Sequence, residues 1–182
     1  MDFSALIKTR QSVRAYESKP VKKDKIMQCV EAARLAPSAC NSQPWTFIIA
    51  DEPDKVEVMR KAVIDKVIMM NRFARNVPAF AVIVMEKMKT TAQVGAGIKD
   101  REYRLMDIGI AAEHFCLQAA ELGLGTCMIG WFNEKTVKHL LNIPDKKRIA
   151  LVISIGYPVE DYRLREKIRK PLMEMCKFNS YQ

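Results

Sequence analysis

The stretch Ala36-Pro37-Ser38-Ala39-Cys40-Asn41-Ser42-Gln43-Pro44-Trp45 decides how the chain is organised. Before it, Ile26, Val30, Ala33 and Leu35 recur at roughly helical spacing. After it, Trp45-Thr46-Phe47-Ile48-Ile49-Ala50 is an apolar run of strand length. The stretch is therefore a helix-to-strand connection. Pro37 biases Ala36 away from helical torsions and stops the helix; Pro44 does the same to Gln43 and launches the strand. Between the prolines sit hydroxyls, the amides of Asn41 and Gln43, and backbone N–H groups. A loop braced at both ends with polar groups in its middle suits a flat heterocycle with donors and acceptors on its edge. An ordinary capped turn accounts for the loop alone equally well.

Upstream, residues 2–9 read as a short helix with Phe3, Leu6 and Ile7 on one side. Arg10, Ser12 and Arg14 then alternate, so an extended backbone points all three the same way. Two guanidiniums flanking a hydroxyl can cradle a phosphate or carboxylate, because each Arg offers a planar fork of donors. A solvated basic face is the other reading of the same residues. The first long helix spans 22–36.

Downstream, Pro53 suits the first turn of a helix over about 53–64. Residues 65–77 read as helix or loop covering a pocket, and 79–85 as a buried strand because the run is almost wholly apolar. Residues 86–100, with Gly95 and Gly97 and little periodicity, read as a mobile surface loop. Leu105, Ile108, Ala112, Phe115, Cys116, Ala119 and Leu122 give a long helix over about 101–122, thinned by Gly109, Ala111 and Ala112 so that another helix can approach. Gly123 and Gly125 end it. A strand over 126–132 leaves through Gly130, Asn133 caps a helix over 134–141, and Pro144 bars its continuation. The last core strand is 149–156. The basic tail, 157–182, lacks the apolar residues to fold alone and must wrap its own domain or a neighbour. The order of elements predicts a single α+β domain over 1–182, with helices around one central sheet.

Composition narrows the chemistry. The 182 residues carry a net charge of +9, concentrated toward both ends. That suits an anionic partner: nucleic acid, an acidic surface or a phosphorylated small molecule. There is no aromatic RNA-binding signature, basic zipper or zinc-finger spacing, so nucleic acid is disfavoured. No apolar run nears the ~20 residues of a membrane span, and the start, Met1-Asp2-Phe3-Ser4, does not read as a signal peptide. Five Cys without a CxxC pair argue for free thiols in a reducing cytoplasm and against a disulfide framework or a metal site. His114 and His139 stand alone on helices and read as structural. Cys40 has no His beside it in sequence to make it a nucleophile. Nucleophile elbow, P-loop and dinucleotide-binding fingerprints are absent. Anion-binding and amide groups without acid–base or metal apparatus suit a protein whose cofactor carries the chemistry.

Several stretches together resemble the nitroreductase family of FMN-dependent oxidoreductases: Arg10-Gln11-Ser12-Val13-Arg14, Ala36-Pro37-Ser38 with Asn41 and Gln43-Pro44-Trp45, Asp107-Ile108-Gly109, Gly123-Leu124-Gly125 with Ile129-Gly130, and Lys167-Ile168-Arg169. The resemblance covers essentially the whole chain. It implies a three-layer α/β/α fold with a mainly antiparallel sheet, and a homodimer in which the tail is swapped and the long helix packs on its twin.

The resemblance also implies a cofactor site for FMN. Arg10, Ser12 and Arg169 would hold its phosphate with help from Lys167. Gln11 joins the same set, and Arg14 would lie near the phosphate or the pyrimidine edge. Pro37, Ser38 and Asn41 would come from the opposite subunit, and Asn71 would meet the pyrimidine edge. The Ile129 and Gly130 backbone would face the ring near N5, so no catalytic side chain is implied. Electrons would pass from NADH or NADPH to a small organic acceptor of nitroaromatic, quinone or enone type in a ping-pong order. A flavin-binding module without enzymatic activity is the alternative.

Overall fold

A computed structural model describes residues 1–65, 67–99 and 101–181; the expectations for 65–77, 86–100 and the tail also touch Lys66, Asp100 and Gln182, which lie outside the described residues. The sheet grows from the apolar run in mid-chain. Strands β1 (Trp45–Ala50), β2 (Ala79–Met85), β3 (Gly125–Ile129) and β4 (Ile149–Gly156) lie in the order β1-β2-β4-β3, every pairing antiparallel. All seven residues of β2 are buried. It is interior, with helices over both faces, which is why its sequence shows no polar alternation.

Side-chain alternation divides the core in two. Ala79, Ala81, Ile83 and Met85 face one cluster with α2 (Lys23–Arg34) and α5 (Tyr103–Glu121), where Cys29, Ala33, Ala111 and Phe115 are fully or almost fully buried. Phe80, Val82 and Val84 face the other, with Val56 and Met59 of α3 (Pro53–Val63) and Val137 of α6 (Glu134–Leu140). The result is the expected α/β/α layering. The β2–β4 register shifts between Ile83 and Val84, which pair with Leu151 and Ile149. Ala150 is the extra residue of a bulge, and it lets Ile149 join the second core while Leu151 packs on the first.

Most expected elements appear with slightly shorter bounds. Helix α1 (Phe3–Thr9) starts where the Asp2 carboxylate accepts the Ala5 N–H at 2.9 Å. Asn133 caps α6 in the same way through the Thr136 N–H. Three expectations are corrected. The segment read as a loop over 86–100 contains helix α4 (Thr90–Lys99), in which Ala92 is buried; tertiary packing outweighs the low helix propensity of Gly95 and Gly97. The strand expected over 126–132 ends at Ile129. Gly125 does not end α5 but opens β3. Gly123, at φ +73°, makes the turn between them. In the tail, α7 (Leu172–Met175) is a single short turn of helix.

Two glycines set the position of the N-terminal strap, residues 10–16. Gly125 and Gly156 are paired across the β3–β4 ladder. A Cβ on Gly125 would stand 2.7 Å from Val13 Cγ2, and one on Gly156 would meet Pro78 at 2.7 Å and Tyr16 at 2.8 Å. Their bareness lets the strap lie directly on the sheet end. There Ser12 bridges Thr126 in parallel, and the Val13 N–H donates to Thr126 O at 2.8 Å. The Tyr16 hydroxyl, fully inside, bonds to Val13 O at 2.8 Å and to Ser154 Oγ at 2.9 Å.

Candidate functional site

The strap and the tail meet. Arg10, Gln11, Ser12 and Arg14 from the strap and Arg165, Lys167 and Arg169 from the tail line one open cleft of about 410 Å³. Residues more than 150 positions apart are joined by specific bonds. Gln11 Nε2 donates to Arg163 O at 3.2 Å, and Gln11 Oε1 accepts the Arg165 N–H at 3.1 Å. The Arg165 guanidinium donates to Ser12 O, and the Lys167 ammonium to Arg10 O. Tyr162 contributes its hydroxyl oxygen as acceptor for the Arg14 N–H at 2.9 Å.

Four of the cleft's side chains are guanidinium or ammonium groups from the expected set, and Arg165 adds a fifth that the motif reading passed over. Among the described residues of the lining, Glu166 is the one carboxylate. Burial first, then the neighbouring charges of Arg10 and Arg169, pushes the Lys167 ammonium below its ordinary value. Arg10 Nε lies 3.0 Å from Glu113 Oε1 of α5, an ion pair by distance, yet that buried nitrogen makes no hydrogen bond. Crowded cations, one of them with a donor left without a hydrogen bond, form a site whose natural occupant is an anion.

The loop after α2 is built differently. Cys40, Asn41 and Gln43 all have positive φ, 51°, 51° and 47°, although none is glycine. Side chains hold this shape. Ser38 Oγ accepts the Gln43 N–H at 2.9 Å, and Asn41 Oδ1 accepts Gln43 Nε2 at 2.8 Å. The Ala39 N–H donates to both oxygens of Asp107, buried on α5, at 3.1 and 3.2 Å. Burial raises the Asp107 carboxyl, and the Ala39 N–H opposes that shift. So much of the polar content of the loop is spent on its own geometry. Asp107 is the support that sequence reasoning missed as a residue, although it opened a quoted motif. Pro37, Ser38 and Asn41 do not line the basic cleft.

A third group lies past β3. Asn71, at φ 55°, donates from Nδ2 to Val63 O and to Trp131 O, each at 3.0 Å. Asn71 therefore stands beside the Ile129-Gly130 turn, where a Cβ on Gly130 would meet nothing within 4 Å. Neither Asn71, Ile129 nor Gly130 lines the basic cleft. His114 Nδ1 sits 3.2 Å from Ala32 O between helices, which fits its structural reading. All five thiols are free. Among the described residues no cluster could hold a metal ion, and no helix is long and apolar enough to cross a membrane.

Comparison with known proteins agrees with this architecture. Residues 7–157 match the model of the family described as "Nitroreductase family". A protein of Archaeoglobus fulgidus named "Putative NADH dehydrogenase/NAD(P)H nitroreductase" is 29% identical over 160 residues, covering 86% of this chain and 85% of the relative. Among solved structures, a nitroreductase family protein from Clostridium novyi superposes with a TM-score of 0.74 at 29% identity, over 88% of this chain and 87% of the other. An FMN-dependent nitroreductase from Clostridium difficile gives a TM-score of 0.77 at 27% identity, over 98% of this chain and all of the other.

Proposed function

The chain belongs to the nitroreductase family, and on that premise we propose that it is a single FMN-binding domain that oxidises NADH or NADPH and reduces a small organic acceptor in ping-pong order. The observation that carries this reading is the convergence of strap and tail cations on one cleft, in which Glu166 is the one carboxylate among the described lining residues. The residues fit a phosphomonoester: Arg10 has a buried donor that makes no hydrogen bond, and Lys167 lies in the field of Arg10 and Arg169. FMN, when bound, supplies the two-electron chemistry that takes hydride equivalents from a nicotinamide and delivers them to the acceptor.

This chain's residues bind and orient. Arg10, Ser12, Arg14, Lys167 and Arg169 hold the phosphate, with Arg165 added to the set. Gln11 acts by tying the tail to the strap, since its amide is spent on Arg163 and Arg165. Asn71, Ile129 and Gly130 meet the ring from this chain. Pro37, Ser38 and Asn41 serve the site of a second copy. A homodimer also accounts for large exposed apolar side chains: Leu105, Met106 and Ile110 on α5, and Ile168, Leu172 and Phe178 on the tail, with Ile168 91% exposed.

The test is affinity for FMN against riboflavin, together with NADH and NADPH oxidation. Wild-type protein should bind FMN far more tightly than riboflavin. Arg10→Ala combined with Arg169→Ala should abolish that difference and leave riboflavin binding in place. A colourless protein that ignores added FMN would sink the reading. Binding without faster NAD(P)H oxidation than free FMN gives would leave a flavin carrier instead.

A further inference from the structure

Directly after Gly130, Trp131 is 53% exposed and belongs to neither core cluster. An indole left in solvent ordinarily samples several rotamers. This one is tied. Its Nε1 donates to Asp65 Oδ2 at 3.0 Å, and its backbone carbonyl accepts from Asn71 Nδ2 at 3.0 Å. The carboxylate is itself anchored, because Asp65 Oδ1 accepts the Val67 and Ile68 N–H groups at 2.8 and 3.1 Å. These bonds, the Ile68 amide first and then the indole and the Val67 amide, hold Asp65 below its ordinary carboxylate value and so ionised at neutral pH. The polar edge of the indole is consumed and its apolar face is presented. Val67, Ile68, Met69 and Met70 are exposed on the loop that this carboxylate organises. An apolar surface fixed in place and not used by either core marks a binding surface.

We propose that Trp131, oriented by Asp65, is the platform on which the electron acceptor stacks, and that the acceptor is a planar, uncharged aromatic or quinoid ring. This rests on the reading that the Ile129-Gly130 backbone faces the flavin. Trp131 is one residue beyond that turn, so a ring lying there has the indole at its side. Stacking selects a planar apolar partner. The negative charge of Asp65 beside the platform selects against carboxylated acceptors. Asp65 is a positioning residue, acting through the indole.

The experiment uses the full chain saturated with FMN, with a naphthoquinone and ferricyanide as paired acceptors. Trp131→Ala should lower the ratio of kcat/KM for naphthoquinone to that for ferricyanide about tenfold, through KM rather than kcat. Trp131→Phe should restore most of the ratio. Asp65→Ala should lower it while leaving Trp131 in place. A second readout needs no turnover: in the Trp45→Phe background, naphthoquinone should quench Trp131 emission saturably, and Asp65→Ala should weaken that quench. An unchanged ratio in Trp131→Ala, or a quench that does not saturate, overturns the proposal. So does conversion of Trp131→Ala to a monomer, because the indole would then belong to a subunit interface. Wild-type protein that fails to bind FMN or to oxidise NAD(P)H would instead overturn the parent reading.

Discussion

Gly125→Ala should damage the basic cleft from beneath. The new methyl would stand 2.7 Å from Val13 Cγ2 and 2.8 Å from Val13 Cβ and Cγ1. Carbon contacts relax at about 3.5–4.0 Å, so strap and strand must part by about 1 Å. Val13 cannot yield by rotation alone, since its Cβ is among the atoms met and its side chain is buried. The Val13 N–H to Thr126 O bond, now 2.8 Å, lies directly across this contact. Overpacking costs about 1–3 kcal/mol, and weakening the backbone bond adds about 0.5–1.5 kcal/mol. At about 2–4 °C per kcal/mol for a chain of this size, Tm should fall by roughly 3–18 °C. The functional effect should be larger than a stability loss explains, because Ser12 and Arg14 flank Val13. Losing one charge-assisted bond to a phosphate costs about 1.5–3 kcal/mol, so FMN should bind roughly 10–150-fold more weakly while riboflavin binds nearly as before. Differential scanning fluorimetry and flavin-fluorescence titration below the transition measure the two effects. A variant that melts earlier yet binds FMN as tightly as wild type would refute the argument that the glycine pair positions the cations.

Glu113→Gln separates orientation from charge: removing a carboxylate near the cleft should tighten FMN by electrostatics alone, whereas loss of the Arg10 ion pair should weaken it about two- to fivefold by titration; weakening is the expected result. The Glu86 carboxyl is lowered first by Lys147 and also bonds the Thr46 hydroxyl at 3.0 Å. Its stabilisation is fully present above the unfolded carboxyl value of about 4.3 and is lost as pH falls through the lower folded value. Urea midpoints measured from pH 6 down to pH 3 should therefore fall less steeply in Glu86→Gln than in wild type. Phe115→Ala removes a fully buried ring stacked on Phe47 at 5.6 Å between centroids, and should cost about 3–5 kcal/mol in chemical denaturation.

The parts of this molecule that were legible in the sequence are those whose physics is local. Pro37 and Pro44 bracket a loop because proline acts on the residue before it. The run Ala79–Met85 declares an interior strand because no solvent-facing position interrupts it. Arg10, Ser12 and Arg14 reach one cleft because alternation in an extended chain needs no partner to define it. Helix α4 was missed because its two glycines lower intrinsic propensity, while the buried contact of Ala92 that offsets this is tertiary. The positive φ values at Cys40, Asn41 and Gln43 were equally hidden, since side-chain bonds and the distant Asp107 hold them rather than glycine.

The same distinction separates the two halves of the candidate site. Its charges could be counted from the sequence, but their relative placement depends on what the sequence does not contain. Gly125 and Gly156 contribute by having no side chain, which admits Val13 and Tyr16 to the sheet end and brings the strap to the edge that the tail reaches. Gln11 contributes by using its amide on Arg163 and Arg165, so that a residue counted among the ligands works here as a tie between chain ends. The proposed phosphate site, made of two segments from opposite ends of the chain, thus needs three kinds of residue. Cations attract the anion, a clamp fixes the distance between segments, and bare positions let one segment lie on the fold. Substitutions at the clamp or the bare positions should mimic loss of a cation in FMN binding, although none of them need touch the phosphate.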